Sequence, residues 1–237
     1  MTPDSDKAAD LVHDGEDALE EGAYEEALEC FEQALVADPD HWGAALDRAE
    51  TLHLLWRTKE ALAAVQSLRP PEDEEDDPDR AELESRIREA AGDWKGADAL
   101  LAEAHRLDPV EYALPIRTTE AEFRSILDDA VASLPQVIRD AVAAVPVLIE
   151  AKPTAEMAEH APHVSPEILG LFVGTPVGEK LQGPGGYPDV VLLFRRNLER
   201  AGTDREEVSE EIRITLLHEY GHYLGFDEDE LEDLGLG

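Results

Sequence analysis

A repeat of small and large residues constrains the first half of the chain more than any other feature. The first unit is marked by Gly15, Gly22, Tyr24, Ala27, Phe31, Ala34 and Pro39. Small residues beside large ones let two short antiparallel helices pack closely, and a proline closes the second helix. Advancing 34 residues from Ala27 gives Ala61, and advancing 70 gives Ala97 in a third unit. Such a period indicates stacked helix pairs, so residues 1–110 are predicted to form an all-α helical repeat solenoid.

This pattern resembles the tetratricopeptide repeat over residues 7–110. The resemblance implies a curved solenoid whose concave face binds a peptide or a protein partner. The alternative is that the three repeats only pack against the rest of the chain. In the middle unit, Trp56 and Thr58 stand where the family has a turn glycine and a tyrosine. The pattern therefore leaves the geometry of that turn open.

The charge of the chain excludes several classes of partner. There are 56 acidic and 20 basic side chains, a formal charge of −36. So acidic a protein repels phosphate backbones and anionic lipids, and we expect neither nucleic acid nor membrane as a partner. A single cysteine, Cys30, and an N-terminus without a leader pattern lead us to expect a cytoplasmic protein. The proline-rich and acidic residues 69–80 predict an exposed loop, with an acidic docking segment as the alternative.

The second half of the chain mixes helices and strands. Hydrophobic spacing and breakers predict helices over 118–134 and 204–224, and strands over 145–151, 171–174 and 189–195. Thr203 or Asp204 is expected to cap the start of the long helix, and Gly225 to end it. We therefore predict an α+β protein in which a small α/β domain, residues 111–237, follows the repeats.

The long helix carries the sequence His218-Glu219-Tyr220-Gly221-His222. Histidines at i and i+4 project from one face of a helix, so both imidazoles can reach a single ion. Glu219 points about 100° around the axis, beside the open metal position rather than into it. Two neutral nitrogen ligands and a proton acceptor are what a hydrolytic zinc site needs. Acidic residues at 227–230 offer oxygen ligands after the turn at Gly225.

The segment HEYGHYLGFDEDEL, residues 218–231, resembles the HExxHxxGxxD pattern of the minimal zincin-like metallopeptidases. The resemblance extends over residues 118–237. It implies a compact zincin core with a short twisted sheet and an active-site helix. It also implies that His218 and His222 bind Zn²⁺ and that Glu219 is the catalytic general base. The third ligand would be Glu228, where the family more often has aspartate, and Asp227 is the neighbouring candidate.

These features predict a zinc-dependent metallopeptidase, in which a metal-activated water hydrolyses a peptide bond and the repeats recruit a peptide or protein. The alternative is a non-catalytic adaptor that retains a metal-binding zincin fold. By analogy with zincins in general, the apolar strand Val190–Phe194 could edge the cleft, and in that place it could bind an extended substrate by strand addition. Tyr187, Tyr220 and Tyr223 could donate to an oxyanion, although packing is the expected role of each.

Overall fold

The computed structural model describes residues 3–69, 77–143, 145–161, 164–176 and 189–233. Numbered in chain order, its helices are Pro3–Glu20 (α1), Tyr24–Ala37 (α2), Trp42–Leu54 (α3), Thr58–Ser67 (α4), Pro78–Ala90 (α5), Trp94–Leu107 (α6), Glu120–Ser133 (α7), Gln136–Val142 (α8), Ala155–His160 (α9), Arg195–Arg200 (α10), Arg205–Leu224 (α11) and Glu228–Asp233 (α12). Its strands are Val147–Glu150 (β1), Gly170–Val173 (β2) and Val190–Phe194 (β3).

Contacts between residues divide the chain into two units. The first comprises Met1–Leu114 together with Thr154–Pro166, and the second comprises Pro115–Pro153 together with Glu167–Gly237. The first unit holds the six N-terminal helices and α9, and the second holds the sheet and the remaining helices. The predicted fold class, helical repeats followed by a small domain with a mixed sheet, is confirmed. Among the described helices, none combines the length and the apolar character that crossing a bilayer requires.

The repeated alanines lie inside the first unit. Ala27, Ala61 and Ala97 are all fully buried. Gly15 shows why small residues are needed at the helix contacts, because a Cβ on this residue would lie 2.7 Å from the ring of Phe31. That distance is too short for two carbon atoms, so α1 and α2 can pack this closely only with glycine at position 15.

The turn between α3 and α4, which the sequence left open, is formed around Trp56. Its φ of 60° lies in the left-handed region, which the other two repeat units fill with Gly22 and Gly92. The indole Nε1 donates a hydrogen bond of 2.9 Å to the carbonyl oxygen of Val164, a residue of the same unit. A bulky side chain is disfavoured in this conformation, so Trp56 departs here from the glycine of the other two units.

The acidic loop predicted for residues 69–80 ends earlier than expected. Residues 70–76 lie outside the described residues, but α5 already begins at Pro78. The side chain of Asp77 accepts a hydrogen bond from the amide of Arg80, and Pro78 occupies the first helical turn. An aspartate cap followed by proline is a helix-start signal, which here outweighs the loop composition.

The second unit is built on a three-stranded sheet in the order β1-β3-β2. Strand β3 lies in the middle, parallel to β1 and antiparallel to β2. The expectation that Val190–Phe194 edges a substrate cleft is therefore wrong, because both sides of this strand are already paired. Helices α7 and α11 supply most of the apolar side chains that pack against the sheet. These include Phe123, Ile126, Leu127, Val208, Ile212 and Leu216.

Three helices of this unit were not predicted from the sequence, namely α8, α10 and α12. All three are short, with six or seven residues each. Helix α10 follows β3 directly, so the predicted strand 189–195 is one residue too long at its C-terminal end. Fewer than two turns give too few periodic positions for a hydrophobic pattern to be visible.

Candidate metal centre

Helix α11 begins and ends at the residues that the sequence predicts. The side chain of Asp204 accepts hydrogen bonds from the amides of Glu206 and Glu207, at 2.8 and 3.0 Å. At the other end, Gly225 has a φ of 99°, and its amide donates to the carbonyl oxygen of Gly221 at 3.0 Å. Only glycine adopts this conformation without strain, so the helix ends there and the chain turns back.

The two histidines of the motif meet on one face of this helix. The Nε2 atoms of His218 and His222 are 2.9 Å apart, and the ring centroids are 4.6 Å apart with the planes at 81°. The Nδ1 atom of His222 lies 3.3 Å from the carbonyl oxygen of Phe226. A proton on Nδ1 can be donated to that oxygen, which leaves a lone pair on Nε2. Both side chains are half-buried.

This pair of nitrogens fits a zinc ion. Zinc binds imidazole at about 2.0–2.1 Å in tetrahedral geometry, so two ligand nitrogens stand roughly 3.3–3.4 Å apart. The observed 2.9 Å differs from that separation by a few tenths of an ångström, which small ring rotations accommodate. A hydrogen bond from the other ring nitrogen to a backbone carbonyl is also what fixes the tautomer of metal-binding histidines.

Glu219 lies on a different side of the helix, against β2. Its side chain is 6% exposed, and Oε2 accepts a hydrogen bond of 2.6 Å from the amide of Phe172. Gly170 packs so closely on it that a Cβ there would lie 2.9 Å from both Cγ and Oε1 of Glu219. The carboxylate is therefore held by the edge of the sheet as well as by its own helix.

The acidic segment after Gly225 forms a turn and the start of α12. Asp227 and Glu230 cap each other, since Asp227 Oδ1 accepts from the Glu230 amide and Glu230 Oε2 from the Asp227 amide. The side chain of Glu228, the expected third ligand, lies outside the described residues. Within the described ranges, no group of three His, Cys, Asp or Glu side chains is placed to hold a metal ion.

The tyrosines near the motif are core residues. Tyr220 and Tyr223 are 4% and 9% exposed and belong to the apolar cluster of the second unit. The ring of Tyr223 contacts that of Phe172 edge to face, with centroids 5.7 Å apart. Burial raises the pKa of Tyr220. Tyr187 lies outside the described residues.

Sequence reasoning missed the two residues of β2 that contact Glu219. The Gly170-Leu171-Phe172 segment was predicted to lie in or beside a strand, but nothing local indicates that the amide of Phe172 faces a helix 47 residues further along the chain. Every residue except proline has a backbone amide, so residue types do not show which amide bonds to a distant side chain. Only the close approach that a buried glycine permits could have indicated the contact.

Comparisons with known families match both halves of the chain. Residues 142–237 match the family of zincin-like metallopeptidases, and residues 18–87 match the tetratricopeptide repeat family. A similar solved structure is the first TPR of Spaghetti (RPAP3) bound to HSP90 peptide SRMEEVD. It is 23% identical over 54% of this chain and 96% of that chain, with a TM-score of 0.41. No curated protein matches the chain. The fusion predicted from the sequence is confirmed, since tetratricopeptide repeats precede a zincin-like metallopeptidase segment.

Proposed function

We propose that the second unit is a zinc-dependent metallopeptidase in which His218, His222 and Glu228 bind the metal. The observation that carries the proposal is the pair of Nε2 atoms 2.9 Å apart on one helix face, followed by an acidic segment beyond the turn. Asp227 is the weaker candidate for the third ligand, because its Oδ1 already caps α12. When bound, zinc would supply an activated water and would polarise the scissile carbonyl.

Glu219 acts as the general base in this proposal. Its Oε2 accepts a hydrogen bond from the amide of Phe172, and Oε1 is the oxygen proposed to accept the proton of the attacking water. The same oxygen then returns the proton to the leaving amine. The hydrogen bond from the Phe172 amide therefore orients the carboxylate for this proton transfer.

An extended peptide substrate would add to β2 rather than to β3. Strand β2 lies beside Glu219. Among the strands of the described residues it pairs only with β3, which leaves its other side as an edge of the sheet. Leu169 turns its carbonyl oxygen towards β3, where it accepts from the amide of Phe194. Backbone groups alternate along an antiparallel strand, so Gly170 and Phe172 direct theirs to the open edge.

The repeats would recruit a protein or a peptide. The family match over residues 18–87 supports this role, because arrays of such repeats present an extended surface for binding. Recruitment by the repeats and hydrolysis by the second unit together would make a peptidase whose substrate is selected partly outside the catalytic site.

The experiment combines metal analysis with a peptide library and three variants. We expect about one zinc per chain in the wild type and in Glu219→Gln, and little in His218→Ala, because a site with three protein ligands that loses one of them binds zinc weakly. His160→Ala is the matched control, since His160 is an exposed histidine on α9, and it should keep its zinc. The wild type should cleave library peptides, whereas Glu219→Gln should not.

Two results would contradict the proposal. One is a purified wild type that takes up no zinc when zinc is supplied. The other is a zinc-loaded wild type that cleaves no peptide while the repeats capture a specific partner, which would favour the adaptor.

A further inference from the structure

Helix α12 is attached to the metal-binding helix through a glycine and a leucine. Gly221 is buried, and Leu231 is fully buried. A Cβ added to Gly221 would overlap Leu231 Cδ2 and would lie 3.4 and 3.5 Å from Cγ and Cδ1 of the same side chain. The leucine thus occupies the space that any other residue at position 221 would fill.

The rest of the turn supports this contact with backbone hydrogen bonds. The amides of Gly225 and Phe226 both donate to the carbonyl oxygen of Gly221, at 3.0 and 3.1 Å. The amide of Leu231 donates to the carbonyl oxygen of Asp227 at 3.0 Å, which closes the first turn of α12. The segment from Gly225 to Leu231 is therefore attached to α11 at both ends. Its first residues are held by hydrogen bonds to Gly221, and its last by the contact between the Leu231 side chain and Gly221.

The attachment point lies within the motif itself. Gly221 stands between His218 and His222, and Glu228 precedes Leu231 by three residues, close to one helical turn. Fixing Leu231 on Gly221 therefore also fixes where the backbone of Glu228 stands relative to the two histidines.

We infer that Gly221 and Leu231 are positioning residues for the metal site, which set the place of Glu228 by holding α12 on α11. This inference rests on the proposed function, because it needs Glu228 to be a ligand. A short helix with six residues has little stability of its own. The contact with Gly221 gives it a defined position, so a change there should weaken zinc binding without removing any ligand.

The test measures zinc affinity by competition with a chromophoric chelator, so no peptidase activity is required. In Gly221→Ala the added methyl displaces Leu231, and in Leu231→Ala the buried side chain is lost. We expect each to weaken zinc binding about 10- to 100-fold, the range typical when support of a ligand is removed. Gly43→Ala is the matched control, because Gly43 is a helical glycine whose Cβ would have its nearest neighbour at 3.6 Å. It should bind zinc like the wild type.

A second comparison shows whether the effect passes through Glu228. Glu228→Gln should weaken zinc binding at least as much as Gly221→Ala, and adding Gly221→Ala to it should change the affinity by no more than about twofold. Circular dichroism of the metal-free proteins checks that each variant folds. If Gly221→Ala does not fold, Leu231→Ala replaces it in the single and double variants.

Two results would overturn the inference while the proposed function stands. These are wild-type zinc affinity in both Gly221→Ala and Leu231→Ala, and independent losses that multiply in the double variant. Wild-type affinity in Glu228→Gln would overturn the inference and would also remove Glu228 from the proposed ligands. A wild type that binds no zinc would instead contradict the proposed function itself.

Discussion

Substitution of Gly170 by alanine tests whether Glu219 is held tightly between α11 and β2. Gly170 is buried at the start of β2. A Cβ there would lie 2.7 Å from Thr215 Cγ2 and 2.9 Å from both Cγ and Oε1 of Glu219. Ordinary contacts begin at 3.4 Å, so Thr215 must retreat by 0.7 Å (3.4 minus 2.7) and Glu219 by 0.5 Å (3.4 minus 2.9).

The cost follows from the burial of both neighbours. Thr215 and Glu219 are each 6% exposed, and they stand on a helix that is packed against the sheet. Overpacking of this kind costs about 1–3 kcal/mol of unfolding free energy. If the carboxylate also loses the amide of Phe172, a hydrogen bond to a charged group worth roughly 1.5–3 kcal/mol is lost as well. We therefore expect Gly170→Ala to lower the unfolding free energy by at least about 1 kcal/mol.

Hydrogen exchange measured by mass spectrometry is the suitable assay. The three tryptophans, Trp42, Trp56 and Trp94, all lie in the first unit, so their fluorescence would not report on this change. Protection of the amides in residues 205–224 should fall in metal-free Gly170→Ala. Gly43→Ala should show no such loss, because its nearest neighbour would be 3.6 Å away.

A second substitution, at Thr215, tests the same contact between β2 and α11. Thr215→Ser removes the Cγ2 atom that would be closest to the new methyl group. The double variant should therefore be more stable than the sum of the two single effects predicts. Wild-type protection in Gly170→Ala, or strict additivity with Thr215→Ser, would show that β2 and α11 are not packed as tightly as the distances indicate.

Two further predictions concern charged groups outside the metal site. Burial and the carboxylates of Glu16 and Glu50 raise the pKa of Asp47 to about 7, so the folded state binds more protons than the unfolded state between about pH 4 and pH 7. Stability should fall as the pH rises through this window, and urea unfolding at pH 5 and pH 8 should show a smaller fall in Asp47→Asn. Glu199, which is fully buried, accepts hydrogen bonds from the amide and hydroxyl of Thr118 and from two arginines. Removal of this carboxylate in Glu199→Ala should cost about 3–5 kcal/mol in urea unfolding, and a loss below 1 kcal/mol would contradict a structural role.

Local signals in the sequence predicted most of the helices and their ends. Asp204 and Gly225 were recognised because capping depends on residues within one or two turns of the helix end. The repeat was recognised because its small residues recur at a fixed spacing, and the structure buries Ala27, Ala61 and Ala97 completely. Such features need no knowledge of distant parts of the chain.

Trp56 shows the limit of that reasoning. It adopts a left-handed conformation, and its indole donates a hydrogen bond to Val164, which is 108 residues away in the sequence. A local pattern contains no information about that partner. The same holds for Glu219 and the amide of Phe172, so neither contact could be predicted although both elements were expected.

The predicted position of β3 at an edge was wrong for a different reason. Here the sequence did contain a signal that favoured the centre of the sheet, where the strand lies. Four consecutive residues of this strand, Val191–Phe194, are buried, and a continuous apolar run is typical of a strand covered on both faces. An edge strand with such a run would invite aggregation, which natural proteins avoid. The run itself therefore argues for the centre of the sheet, whereas the analogy with zincins placed the strand at an edge.

Moving the substrate edge from β3 to β2 changes what Glu219 can do in the proposed function. In the proposed function, a peptide that adds to β2 meets a strand whose amide at Phe172 is already bonded to Glu219. If the peptide took that amide, Glu219 would lose the hydrogen bond that orients it. Pairing through the remaining outward groups of Gly170 and Phe172 leaves the carboxylate in place. Under the proposed function, the geometry thus favours a substrate register in which the Phe172 amide stays with Glu219. The strand proposed to bind the substrate would then also orient the proposed general base.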